Sequence, residues 1–323
     1  MKPLEGLFTS ENEAMRALLE GAARAGQRPS APVRIHGEVG TGKELLARFI
    51  HEHTPAKKKA AFVKVASAGS TEELLEAELF GQERAGSGRA ETPKGALEHA
   101  SGGTLFLEDA AELPARLQVQ LLRALKTGRF HPVGSVQERP FDARVIVSTV
   151  PDLARAVRKG AFRSDLFHRL DVLSLALPPI RSRREDIVPL ARWFLGHLGR
   201  EWVRPVPALS PEAEVALVVH DWPGNVRELR NVMESAMISE PGQLITAASL
   251  PLGKNSSERE EALLTVRVGE DEAPPPMAEV EKRYIEAVLR RAKGNRSEVS
   301  RVLGLSYPTV TRKIAEYGIK APD

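Results

Sequence analysis

The chain has 323 residues, 42% hydrophobic and 28% charged, enough apolar material for two or three folded domains. It has no cysteine, which excludes disulfides, thiolate metal sites and a cysteine nucleophile. The net charge of +3 is unevenly placed: Met277 to Asp323 carries ten Lys/Arg against six Asp/Glu, so a nucleic-acid contact is expected in the C-terminal segment alone.

The opening residues, Met1 to Gly6, lack the apolar core of a signal peptide, and no apolar run approaches membrane-spanning length. A cytoplasmic protein without membrane contact is expected. A lead-in helix is predicted over Glu11 to Ala25, with Ala14, Leu18, Leu19 and Ala22 on one face. No sensory domain is expected ahead of the next motif, and control is expected from abundance, a partner or a nucleotide.

A short β-branched run (Val33, Ile35) leads into Gly37-Glu38-Val39-Gly40-Thr41-Gly42-Lys43-Glu44, followed by helical spacing at Leu45, Leu46, Phe49 and Ile50. Strand, glycine loop and helix form the context of a phosphate-binding loop. The glycines let successive N–H groups point at phosphate oxygens, the helix N-terminus adds its dipole, and Lys43 supplies a cation. Glu44 stands where the general pattern has a Ser or Thr hydroxyl for Mg²⁺.

A solvated loop is expected at Thr54 to Lys59, then a strand at Ala61–Val65 and a helix from Glu72 to Phe80. Gly81 to Gly95 reads as an exposed loop. A strand from Gly103 to Leu107 ends in Glu108-Asp109, two carboxylates placed to hold Mg²⁺ through its water shell. An amphipathic helix follows over Leu113–Leu125, then a strand over Arg144–Thr149. This alternation predicts an α/β fold with a mainly parallel sheet covered on both faces. From about Pro189 helices dominate: Ile187–Leu198, Pro211–Val219 and Val226–Ile238. Leu252 to Pro276 has linker composition.

Met277 to Ala292 is predicted as a helix with Val280, Tyr284, Ala287, Val288 and Arg291 on one side. Two short helices around Gly304 then read as a helix-turn-helix. Its second helix would present Tyr307, Thr309, Arg312 and Lys313 to the major groove of double-stranded DNA. A helical dimerisation tail is the alternative.

Several motifs in order resemble the AAA+ activators of sigma-54 RNA polymerase, the NtrC-like enhancer-binding proteins. They are Gly37 to Glu44, Glu78-Leu79-Phe80-Gly81-Gln82-Glu83, Gly102 to Leu107, Phe162 to Leu170, and Trp222-Pro223-Gly224-Asn225-Val226-Arg227-Glu228-Leu229. The C-terminal segment resembles a Fis-type DNA-binding module through Gly294-Asn295, Leu303 to Ser306 and Tyr317-Gly318-Ile319. The resemblance implies an AAA+ α/β subdomain over 1–185, a helical lid over 186–251, a linker over 252–276 and an all-α helix-turn-helix over 277–323. It implies ATP held by Gly37, Glu38, Val39, Gly40, Thr41, Gly42, Lys43 and Glu44, with Thr149 and Arg227 sensing the phosphates. Mg²⁺ would lie at Glu108 and Asp109, and Arg163 and Arg169 would reach a neighbouring subunit's site. A homo-oligomer, dimers assembling into a hexamer-like ring, is implied as well.

Four positions depart from the family pattern. Glu108-Asp109 reverses the family's Asp-Glu, Ala66 replaces the asparagine that restrains that glutamate, and Val150 replaces a polar residue after Thr149. Ala85 to Ala90 lacks the aromatic and threonine of the family's polymerase-contacting loop. The expectation is a DNA-binding transcription regulator that binds ATP, hydrolyses it poorly and acts without sigma-54. The alternatives are a working ATPase that activates sigma-54 polymerase through a diverged loop, and a nucleotide-dependent oligomeric scaffold.

Overall fold

The computed structural model describes residues 10–55, 60–83, 94–150, 153–240, 244–252, 276–292 and 294–319. Lys57 to Lys59, the loop Ala85 to Ala90 and linker positions 253–275 lie outside the described residues. The chain divides into two compact units, Met1–Leu252 and Gly253–Asp323.

The first unit opens with α1 (Glu13–Gly26), β1 (Val33–His36), α2 (Lys43–Glu52), β2 (Phe62–Ala66) and α3 (Glu72–Phe80). It continues with α4 (Ala96–His99), β3 (Thr104–Glu108), α5 (Ala115–Thr127), β4 (Arg129–Phe130), β5 (Arg139–Pro140) and β6 (Arg144–Thr149). Then come α6 (Leu153–Arg158), α7 (Ser164–Leu170) and β7 (Leu173–Ala176). Asn12 caps α1, its side chain accepting from Met15 N at 3.0 Å, so the lead-in helix starts two residues later than predicted. Met15, rather than Ala14, faces the core.

Five parallel strands make one sheet in the order β2-β3-β6-β1-β7. The fifth, β7, is absent from the sequence reading. It is a four-residue edge strand paired on one side only, too short for a periodic signal. The core follows the two-residue period of strands. Leu105, Leu107, Val145 and Val147 pack beneath α3, α5 and α7, while Phe106 and Ile146 face α1 and α2. Burying each such side chain contributes about 2 kcal/mol. The phosphate-loop motif therefore leaves the carboxyl end of a central strand, in the crevice where open α/β sheets bind ligands.

The helical end of this unit comprises α8 (Ile187–Glu201), β8 (Ala208–Leu209), α9 (Pro211–Val219), α10 (Asn225–Ser239) and β9 (Leu244–Ile245). Ser210 caps α9, with Pro211 in the first turn where its missing N–H costs nothing. Trp222 is fully buried among α8, α9 and α10, and its indole N–H donates to Leu217 O at 2.8 Å.

The second unit consists of α11 (Met277–Arg291), α12 (Arg296–Leu303) and α13 (Tyr307–Glu316). Gly304 ends α12 in the left-handed region (φ 65°), and Ser306 caps α13. Ile285, Val288 and Leu289 of α11 pack on Val299, Val310 and Ile314. Of the predicted stripe Val288 lies in this core, Val280 and Ala287 are half-buried, and Tyr284 is exposed. Apolar residues lie on more than one side of α11, and spacing alone did not rank them. No helix of the described residues is long and apolar enough to cross a membrane.

Candidate functional site

The loop between β1 and α2 is shaped by close approaches that only glycine permits. Gly40 has φ +78°, and a Cβ there would lie 2.1 Å from Gly224 O. The Lys43 ammonium turns back into its own loop, donating to Gly37 O and Glu38 O, each at 3.0 Å. Thr41 Oγ1 donates to Glu38 O at 2.9 Å. Burial pulls the Lys43 pKa below its ordinary value against the opposing charges of Asp109 and Glu108.

At the neighbouring strand ends, Ala66 lies opposite Glu108 and Leu107 opposite Val147. Continuing these registers puts Ser67, Asp109 and Thr149 in one lateral row, beside His36 and the glycine loop. Each carries a buried side-chain oxygen without a hydrogen-bond partner: Ser67 Oγ, Asp109 Oδ1 and Thr149 Oγ1. Asp109 adopts φ 53°, a left-handed conformation uncommon outside glycine, and its N–H donates to Ser148 Oγ at 3.3 Å. Burial raises the Asp109 pKa, partly offset by the charge of Lys43. A row of orphaned polar atoms at the carboxyl end of a sheet costs stability unless a ligand completes it.

Glu108 behaves differently. Its carboxylate pairs with Lys64 Nζ at 2.6 Å, and the same ammonium holds Glu44 at 2.7 Å. Glu44 also accepts from Arg48, at 3.0 Å from Nε and 2.9 Å from the terminal nitrogen. The two carboxylates that look equivalent in sequence therefore have different partners.

The α10 end of the lid closes over the loop. Asn225 Nδ2 donates to Val39 O (3.0 Å) and to the Glu38 carboxylate (3.1 Å), while its Oδ1 accepts from Ile180 N at 2.9 Å. Arg181 grips Glu38 with both terminal nitrogens, one at 2.7 Å. Together they hold the Glu38 pKa at about 2: the Arg181 hydrogen bond is the largest cause, and burial opposes it. Arg227 N donates to Gly40 O at 3.2 Å, and its exposed guanidinium perturbs both Lys43 and Asp109. Met15, Leu45, Leu177, Leu190 and Val226 line a narrow apolar cleft beside Thr41 and Gly42, with buried Arg183 at its wall.

In the second unit, Tyr307 and Arg312 are exposed on α13 and Thr309 is half-buried against Ser306 Oγ at 2.7 Å. Lys313 turns inward. Its ammonium pairs with Glu281 of α11 at 2.7 Å, and Tyr317 OH donates to the same carboxylate at 2.6 Å.

Three family descriptions match consecutive stretches: the sigma-54 interaction domain over residues 8–176, an AAA+ ATPase lid domain over 181–264, and the bacterial regulatory protein Fis family over 276–317. The chain belongs to the sigma-54 interaction domain family. It is 42% identical over 299 residues to the regulatory protein AtoC of Escherichia coli K12, covering 91% of this chain and 64% of that protein. It is 40% identical over 310 residues to the transcriptional regulatory protein ZraR of Klebsiella oxytoca, covering 95% and 68%. NtrX from Brucella abortus, solved in complex with ATP, superposes with a TM-score of 0.69 at 33% identity, covering 98% of this chain and 71% of that one. The chain thus spans about two thirds of the length of these relatives.

Membership in this sigma-54 activator-type family of DNA-binding regulators gives the arginine segment its interest. Arg163 lies at the start of α7, where its guanidinium forms a two-pronged pair with Asp165 (3.0 and 2.8 Å). Arg169 donates to Leu125 O at 3.0 Å and faces a cavity of about 580 Å³. Asp171, two residues beyond Arg169, pairs with Arg34 at 2.7 Å. Sequence reasoning missed Lys64, Asn225 as a clasp, Arg181 and the apolar cleft. A lysine on the helix-covered side of a strand, two residues from Ala66, was the available signal for Lys64.

Proposed function

We propose that this protein is a DNA-binding transcription regulator whose AAA+ domain binds ATP with Mg²⁺ and uses it to set its assembly, with slow turnover. The domain limits are those proposed from the sequence: 1–185, 186–251, 252–276 and 277–323. The observation that carries the nucleotide reading is the row of orphaned oxygens at Ser67, Asp109 and Thr149, with the charges of Lys43 in its glycine loop and of Arg227 acting on Asp109.

These residues fit the groups they would hold. Lys43, the N–H groups from Gly37 to Glu44, and Arg227 offer cationic and hydrogen-bonding contacts to phosphates. Thr149 Oγ1 would contact the terminal phosphate or its attacking water. Among the described residues no group of three or more acidic or histidine side chains could hold a metal unaided. The cation would therefore be shared with the phosphates, as Mg²⁺ in nucleotide sites is. When bound, it supplies charge that offsets negative charge on the transferring group.

Slow turnover is supported by the reach of the carboxylates. Asp109 is one methylene shorter than the glutamate of the family pattern, and misplacement near 1 Å can cost about a hundredfold in rate. Ala66 and Val150 add no polar group to correct it. Arg163 and Arg169 would serve a neighbouring subunit, which makes a homo-oligomer part of the reading. Tyr307, Thr309 and Arg312 would meet double-stranded DNA, with Lys313 behind them. Action is proposed without sigma-54 contact, because Ala85 to Ala90 lacks an aromatic anchor, and in the cytoplasm, as befits a DNA-binding regulator.

The test measures binding of a fluorescent ATP analogue alongside steady-state hydrolysis across protein concentration. Binding lost in Lys43→Ala, with hydrolysis barely above that variant, is expected. Turnover rising steeply with concentration would overturn slow hydrolysis and leave a working ATPase.

A further inference from the structure

Four alternating charges run from the surface of α2 to the end of β3. Arg48 meets Glu44 at 2.9 Å, Glu44 meets Lys64 at 2.7 Å, and Lys64 meets Glu108 at 2.6 Å. The register explains why they meet. Phe62, Lys64 and Ala66 share one face of β2, beside Phe106 and Glu108 on β3, and α2 covers that face. Arg48 is itself placed by the Phe62 ring, its guanidinium carbon 4.5 Å from the ring centroid.

The array is electrically closed, with two cations for two carboxylates. Burial works against the Lys64 charge, yet hydrogen bonds to Glu108 and Glu44 hold its pKa above the ordinary value. Ala66, opposite Glu108, has no polar group to draw that carboxylate elsewhere. Asp109 lies outside the array, with one oxygen buried and unpartnered, and its principal opposite charge is Lys43.

We propose that Lys64 divides the labour of the two strand-end carboxylates: it secures Glu108 to Glu44 and Arg48, and so leaves Asp109 as the carboxylate that meets the metal and phosphates of a bound nucleotide. Lys64 is a positioning residue. It touches no phosphate and acts by occupying Glu108. The inference rests on the nucleotide reading above, but the charge array exists without nucleotide and can be tested without it.

The binding test uses the full chain and a fluorescent ATP analogue, titrated with and without Mg²⁺. Asp109→Asn is expected to reduce the Mg²⁺ enhancement of affinity about tenfold or more, and Glu108→Gln less than about twofold. In a Lys64→Met background Glu108 is released, and Glu108→Gln then changes the enhancement about fivefold. Lys64→Arg keeps the wild-type pattern. If Lys64→Met does not fold, Glu44→Gln loosens the ammonium from the other side, and sensitivity to Glu108→Gln should rise in that background. Equal losses for Glu108→Gln and Asp109→Asn in the wild type would overturn the proposal. So would a Glu108 effect that ignores Lys64 and Glu44.

The nucleotide-free test is thermal melting of Lys64→Met, Glu108→Gln and the double variant. The double variant should melt well above the sum of the single losses, because each single change strands the other charge. Additive shifts would refute the array. Absent analogue binding in the wild type would instead refute the nucleotide reading, with the melting cycle still deciding the array.

Discussion

Asn225 donates from one amide nitrogen to Val39 O at 3.0 Å and to the Glu38 carboxylate at 3.1 Å, so the first residue of lid helix α10 is bonded to the glycine loop. It is fully buried, and φ 53° places it in the left-handed region that asparagine tolerates better than most residues. The lid and loop are therefore joined through side-chain chemistry before any ligand is considered.

Asn225→Ala should loosen this joint. It removes three hydrogen bonds and leaves the buried Ile180 N–H without an acceptor. A loss of about 2–3 kcal/mol in denaturant unfolding is expected, together with weaker analogue binding. Unchanged stability would mean that water or a relaxed backbone replaces the amide.

The Glu38–Arg181 pair carries a pH signature. The folded-state pKa of Glu38 is depressed to about 2 from a reference of 4.5, chiefly by the Arg181 hydrogen bond. A carboxylate depressed on folding stabilises above its unfolded pKa and loses that stabilisation as pH falls through the folded one. Glu38→Gln should thus melt lower than wild type near neutrality. The gap should narrow between pH 4.5 and about 2 and close below it. A gap independent of pH would show that the pair contributes through shape alone. Exposure of both side chains keeps the effect modest.

Arg144 is a different kind of buried charge. It opens β6, is 1% exposed, and donates to Ala25 O (2.8 Å), Ala31 O (3.2 Å) and Thr54 Oγ1 (3.0 Å). Burial pulls its pKa down to about 10. Arg144→Met keeps volume but strands two carbonyls, for an expected cost of about 2–3 kcal/mol read by chemical denaturation. The adjoining cavity, lined by Arg144 and Asp142, lets water approach and keeps the figure from going higher.

Glycines at Gly37 and Gly40 and the apolar alternation of β3 and β6 made the sheet and loop legible in sequence, because period and backbone permissiveness are local properties. What sequence could not give was pairing across the fold. Glu108 and Asp109 are adjacent and chemically alike, yet one meets Lys64 and the other faces Lys43. That distinction depends on which face of β2 lies under α2. The edge strand β7 was invisible for a related reason: its four residues alternate only half-buried and exposed. On α13, helical spacing exposed Arg312 and Lys313 alike, and only the docking of α11 tells them apart.

That difference gives the last expectation. Arg312 is exposed with no ion pair among the described residues, whereas Lys313 is bound to Glu281 and shares that carboxylate with Tyr317. Arg312→Ala should weaken binding to duplex DNA and lower the slope of log affinity against log salt by about one, as loss of one phosphate contact does. Lys313→Ala should instead lower the melting temperature of the C-terminal unit, since Glu281 loses its cation across the α11–α13 contact. Its DNA affinity should fall only as far as that unit unfolds, and a lower assay temperature should restore it. If Lys313→Ala reduced the salt slope without changing the melt, Lys313 would have to leave Glu281 for a phosphate. The Glu281 pair would then be a resting position, one that DNA competes for.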